Sequence, residues 1–272
     1  IVAVGGIPGD MILQTTVLHA LSVLFFMCSW NALNDIYDFE IDIINRPDRP
    51  LPDGRISLKN AKIATAITMI SSMASLIFCY YLVSTSELDE GLRISDWYPS
   101  IVIWALALTL LINYEFPFGL RLKDKGLPGN IAISISVGLV VVFGSSAALQ
   151  PFNMKAWSLF FVGIFYNTSR EIIKDVEDME GDLGRNTLAM RIGADNARTT
   201  AWVMSILALA SILLPFATGI FPPLHVVLVI PAVMTLMMVK GKIILGEDKA
   251  ASSMLKKSML LCLAALLTSA VL

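Results

Sequence analysis

Six aspartates carry most of the chemistry this sequence offers. Asp35, Asp38 and Asp42 stand at spacings of three and four, and Asp175, Asp178 and Asp182 repeat that spacing 140 residues later. On a helix such positions share one face, so each trio makes a column of carboxylates about 10 Å long. Hard oxygen ligands suit Mg2+, which keeps several waters and takes one or two carboxylates together with phosphate oxygens. Two columns therefore fit two or more Mg2+ ions bridged by a diphosphate. Six carboxylates would repel a bare diphosphate, so the charge balance itself requires the metal. A single trio reads equally well as a solvated surface; two trios at matched spacing point to a ligand.

Basic residues flank both trios. Arg46, Arg49 and Arg55 follow the first, Arg170 and Lys174 precede Asp175, and Lys123 and Lys125 lie between them. Asn34 adjoins the first column and is placed to orient the diphosphate or a metal-bound water. Phosphate oxygens favour Arg and Lys, and the residues closest to the acids, Arg46, Lys125, Arg170 and Lys174, are the expected phosphate contacts. Lys240, Lys242, Lys256 and Lys257 read instead as topology signals. Metal and basic groups around a diphosphate stabilise it as a leaving group. Its release from an allylic prenyl chain leaves a carbocation, which aromatic faces such as Tyr37, Tyr114, Phe116, Phe118, Phe165 and Tyr166 can stabilise. Any one of these rings alone reads first as packing.

The elements that hold these groups must be membrane helices. Of the 272 residues 56% are hydrophobic and only 15% charged, with a mean hydropathy of +0.72. A soluble domain carries nearer a quarter charged residues. Apolar runs fall at roughly 11–33, 61–83, 98–116, 129–149, 155–170, 199–220, 222–239 and 254–272. Each keeps its backbone hydrogen bonds internal only as a helix. Pro222 and Pro223 predict a tight hairpin between the last pair but one. Ile1–Ile7 reads as the tail of a further helix, largely missing, which makes about nine. Cys28, Cys79 and Cys262 lack ligand spacing and read as small core hydrophobes. His225, beside the paired prolines, reads as structural.

Eighteen of the twenty Lys and Arg fall on loops of one side, leaving Arg93 and Lys155 on the other. By the positive-inside rule that side faces the cytoplasm, and both acidic trios lie on it. Trp97, Tyr98 and Trp157 suit an aromatic belt on the outer side. Four spans separate the trios, so their helices run parallel. A pseudo-two-fold axis along the membrane normal would set the columns face to face. The expected architecture is all-α: one polytopic membrane helix bundle over residues 1–272, with repeat halves of roughly 1–125 and 126–272.

The motifs resemble a known family. Asn34-Asp35-x-x-Asp38-x-x-x-Asp42, followed by Asn45-Arg46-Pro47-x-Arg49-Pro50-Leu51-Pro52-x-Gly54, resembles the first signature of the UbiA superfamily of intramembrane prenyltransferases. Tyr166-Asn167-x-x-Arg170-Glu171-Ile172-x-Lys174-Asp175-x-x-Asp178-x-x-Gly181-Asp182 is similar to its second, and Lys125-Gly126-Leu127-Pro128-Gly129-Asn130 to a loop between them. The resemblance spans essentially the whole chain. It implies nine helices around a lipid-open cavity, a cytoplasmic cap of motif loops and Mg2+-dependent prenyl transfer from a prenyl diphosphate to a lipid-soluble acceptor, with no nucleic-acid partner. It places the six aspartates as catalytic metal ligands. Asn34, Arg46, Lys123, Lys125, Asn130, Tyr166, Arg170 and Lys174 become substrate contacts.

The second motif is most similar to that of archaeal members adding a second geranylgeranyl chain to geranylgeranylglyceryl phosphate in ether-lipid synthesis. An aromatic or chlorophyllide-type acceptor is the alternative, since chlorophyll synthases share the first motif. A cation-coupled transporter would set its acids near mid-membrane in broken helices, not at one boundary beside basic loops. The CDP-alcohol phosphotransferases need an Asp-x-x-Asp-Gly pattern that Asp178-Met179-Glu180-Gly181-Asp182 does not supply.

Overall fold

A computed structural model describes residues 9–86, 93–179 and 186–272, and among them it is all helix and turn, with no strand. The long elements follow the apolar runs. They are α1 (Gly9–Tyr37), α3 (Leu58–Thr85), α4 (Tyr98–Glu115), α5 (Leu127–Ser146), α6 (Met154–Glu177), α8 (Ala194–Ala217), α9 (Ile230–Ile244) and α10 (Asp248–Val271). There are two short helices: α2 (Phe39–Asn45), which carries Asp42 of the first acidic motif, and α7 (Leu188–Ile192), which comes after the second. A 3-10 stretch, Pro223–Val229, leads from the paired prolines into α9.

Seven helices among the described residues are long and apolar enough to cross a membrane, so the expected count of nine is not reached. The eighth long helix, α6, runs 24 residues but carries Arg170, Glu171, Lys174 and Asp175 in its second half. The apolar run ended at 170, yet the helix continues to Glu177. Its later turns stay helical because Ile172, Ile173 and Val176 still bury one face. Large apolar side chains elsewhere point outward, as on α3, where Ile63, Ile67, Ile70, Ile77 and Phe78 are exposed. Such a surface is what lipid contact demands.

The chain divides into two compact units. One runs to Val102 and takes in Ser146–Gln150; the other holds Ile103–Ser145 and Pro151–Leu272. In the first, α1 lies along α3 on a seam of small polar residues. Ser22 Oγ meets Ser72 Oγ at 3.1 Å, and Ser29 Oγ donates to the Thr65 carbonyl at 2.9 Å. Small residues let backbones approach closely, and hydroxyl bonds hold helices together where lipid offers no hydrophobic gain. His19, which the sequence did not single out, is buried on α1 with Nε2 3.0 Å from Ser100 Oγ. Trp97 is buried too, its ring centroid 5.3 Å from that of Tyr80, so it packs inside rather than joining an outer belt; Tyr98 is exposed.

In the second unit α6, α8, α9 and α10 share one core built on Tyr166, Ile172, Ala201, Ile212, Leu236 and Leu255. α5 joins through Leu139 and Val142 against Phe160. Asn153 caps α6 by accepting from the Lys155 N–H, and Thr187 caps α7 through the Met190 N–H. His225 is tied to Ser269 Oγ at 3.0 Å. Cys79 and Cys262 are buried as expected, whereas Cys28 is exposed.

Candidate active site

The first acidic column is built on a jointed helix. α1 ends at Tyr37, Asp38 forms the turn, and α2 begins at Phe39. The expected single helix is thus interrupted, but the hydrogen-bond ladder is not. Asp38 N–H donates to the Asn34 carbonyl (2.9 Å), Asp42 to Asp38 (2.8 Å) and Arg46 to Asp42 (2.9 Å). That ladder keeps the three aspartates on one face. The Asn34 amide donates to Asp38 Oδ2 at 3.1 Å, so Asn34 orients a carboxylate of the column.

Past Arg46, which is exposed, Pro47 turns the chain back over the end of α2. The returning loop carries Arg49, whose Nη1 donates to Asp35 Oδ1 at 2.9 Å and to Asp42 Oδ2 at 2.5 Å. Asp42 is buried and Asp35 half-exposed. Arg49 was read only as one of several loop cations; the signal for it was the Arg-Pro turn that points the chain back at its own acids. Farther along, Asp53 accepts from the Arg55 backbone N–H and guanidinium, which holds its carboxyl below the usual carboxylate range. Arg55 also donates to the Asp48 carbonyl, so the loop is tied to itself.

The second column lies on α6. Asp175 accepts a 3.0 Å hydrogen bond from the Asn130 amide on α5, and Asp178 caps the end of α6. Asp182 lies outside the described residues, as does Arg185. One turn before Asp175, Glu171 accepts from Arg170 at 2.7 Å and lies 3.5 Å from the Lys174 ammonium. Glu171 thus sits between the two predicted phosphate contacts, a role that its charge alone did not reveal.

Between α4 and α5 the loop is held on three sides. Lys123 Nζ lies 3.1 Å from the buried Glu115 carboxylate. Arg191 on α7 donates to the Asp124 carbonyl at 3.1 Å. Gly126 has a φ of +67° and lies against Leu188, and a Cβ on Gly129 would fall 2.2 Å from the Leu122 carbonyl oxygen. Only glycine fits both places, and together they fix the turn that leaves Lys125 exposed. Tyr166 is corrected: its ring is buried in the helix core and its hydroxyl lies 2.8 Å from Ser258 Oγ, so it packs rather than lines a substrate surface.

Among the described residues no three His, Cys, Asp or Glu side chains converge into a ready-made metal cage. Mg2+ does not require one, since waters and substrate oxygens fill most of its shell. The donor chemistry still fits a hard cation. Two carboxylates of the first column already share one positively charged nitrogen.

Comparison with known proteins gives the family of the chain. The family model described as the UbiA prenyltransferase family matches residues 2–263. The chain is 31% identical over 276 residues to a digeranylgeranylglyceryl phosphate synthase of Methanopyrus kandleri, covering 98% of this chain and 93% of that protein. It is 33% identical over 264 residues to the protein of that name from Korarchaeum cryptofilum, covering 92% and 84%. A solved structure concerned with digeranylgeranylglyceryl phosphate synthase in membranes superposes with a TM-score of 0.71 at 27% identity, over 95% of this chain and 86% of that one. The apo structure of a UbiA homolog from Aeropyrum pernix K1 superposes at 0.70 with 19% identity, over 94% and 90%, and bears on the fold alone. A transporter reading has no support left: this chain is an integral membrane protein and a member of the UbiA prenyltransferase family.

Proposed function

We propose that the protein transfers a geranylgeranyl group from its diphosphate to geranylgeranylglyceryl phosphate, in the synthesis of archaeal ether lipids. The observation that carries this reading is the coverage of relatives bearing that activity in their names, which extends over nearly the whole chain and both acidic motifs. Asp35, Asp38 and Asp42, with Asp175, Asp178 and Asp182, are the proposed Mg2+ ligands, direct or through water. When bound, the metal supplies the positive charge that a departing diphosphate needs.

The chain's own groups do the rest. Asn34 holds Asp38, and Asn130 holds Asp175, in fixed orientation. Arg46, Lys125, Arg170 and Lys174 take phosphate oxygens of the donor or of the phosphorylated acceptor, with Lys123 exchanging Glu115 for phosphate. The allylic C–O bond breaks, the acceptor hydroxyl oxygen bonds to the allylic carbon, and a diphosphate oxygen takes the hydroxyl proton. The active side is proposed to face the cytoplasm, because eighteen of the twenty Lys and Arg fall on the loops that the apolar runs assign to that side. The matched columns also support one prenyltransferase domain with repeat halves of roughly 1–125 and 126–272.

The test is direct. Purified protein in detergent is incubated with labelled prenyl diphosphates of several lengths and with two acceptors, geranylgeranylglyceryl phosphate and an aromatic acid. Label entering the glycerol phosphate lipid is the expected result. Label entering only the aromatic acid would overturn it.

A further inference from the structure

The position of Arg49 has a consequence beyond charge pairing. One nitrogen of its guanidinium satisfies both Asp35 and Asp42, which stand on either side of the joint at Asp38. Asp42 is 5% exposed, so its charge is shielded from water and needs a partner. A permanently charged guanidinium meets that need. A divalent cation bound between the same two oxygens would meet it as well, and the two cations repel each other. The Arg49 backbone is anchored separately: its N–H donates to the Arg46 carbonyl, and its carbonyl accepts from Asp53 N–H. The side chain can therefore leave the carboxylates without the loop unwinding.

We propose that Arg49 is a placeholder for the metal, filling the seat between Asp35 and Asp42 until a divalent ion displaces it, and then turning its guanidinium to the substrate diphosphate. This rests on the metal-dependent reading above. Metal alone must evict Arg49 and binds weakly. Diphosphate offers the evicted guanidinium a bidentate partner, so metal and diphosphate favour each other's binding.

The full-length protein in detergent tests this by Mn2+ binding, followed by electron paramagnetic resonance with and without geranyl S-thiolodiphosphate. Removing a partly exposed double ion pair changes affinity by roughly threefold to tenfold. Arg49→Ala is accordingly expected to bind Mn2+ alone about threefold to tenfold more tightly than the natural protein, and to gain less affinity when the analogue is added. Equal or weaker Mn2+ affinity in Arg49→Ala, with the natural protein binding Mn2+ normally, overturns the placeholder and leaves the proposed function standing. Failure of the natural protein to bind Mn2+ even with the analogue overturns both. If Arg49→Ala does not fold, Arg49→Gln serves, because it keeps a long side chain with amide donors while removing the charge that competes with the metal. That variant is expected to bind Mn2+ more tightly than the natural protein, and an unchanged or weaker value counts against the proposal.

Discussion

The side-chain amide of Asn130 donates a 3.0 Å hydrogen bond to the carboxylate of Asp175. The residues behind it fix its position. Ser134 Oγ donates to the Asn130 carbonyl at 2.6 Å and accepts from the Asn167 amide at 3.1 Å. All three supporting residues are buried, so one acid of the second column is aimed from α5 by a chain of bonds that water does not compete for. Losing a group that orients a metal ligand typically costs about 10–100-fold. Asn130→Ala should lower prenyl transfer by about that factor while circular dichroism shows unchanged helix content.

The acidic columns themselves should be far less forgiving. Asp38→Ala and Asp178→Ala each remove a carboxylate at a helix end and are expected to reduce transfer by about 100-fold or more. Full Mg2+-dependent activity in both variants, measured with labelled prenyl diphosphate, would falsify the two-column reading.

Chelation offers a reversible version of that test. Excess EDTA should stop transfer without unfolding the helices, and added Mg2+ should restore it. Thermal unfolding followed alongside separates loss of metal from loss of fold.

Tyr166 should behave as a packing residue. Tyr166→Phe removes the hydroxyl that meets Ser258 Oγ and should cost about 1 kcal/mol of stability. The Ser258 hydroxyl also donates to the Ala232 carbonyl at 2.6 Å, so it keeps a partner. The transfer rate should stay near that of the natural protein, whereas a substrate contact would show a raised KM.

Gly129→Ala addresses the loop that presents Lys125. The new Cβ would fall 2.2 Å from the Leu122 carbonyl oxygen, a backbone atom that cannot step aside cheaply. A loss of about 1–3 kcal/mol is expected, read as a lower unfolding temperature.

The eight long helices were legible because each is an apolar run long enough to need every backbone bond satisfied internally. The end of α6 was not, since Ile172, Ile173 and Val176 bury one stripe of a helix whose other stripe is charged. Spacing placed Asp35 and Asp42 on one face, and the ladder through Asp38 and Asp42 bears that out. Spacing said nothing of Arg49, whose position depends on where a proline turn returns the chain. Nor did it separate Tyr166 from the other aromatic candidates, because its role is set by Ser258, 92 positions away in the chain. Local periodicity reads out from sequence; partners brought by the fold do not.

Asp38 is the place where α1 stops and α2 starts, yet the backbone hydrogen bonds run unbroken through it, from Asp38 to Asn34 and from Asp42 to Asp38. The Arg46 N–H carries the series on to Asp42, and the Arg49 N–H returns to the Arg46 carbonyl. The loop from Pro47 to Ile56 therefore inherits its starting direction from the long helix before it. A bend at one residue sets the heading of everything that follows, so the first acidic column and the arginine that covers it share a single frame of backbone.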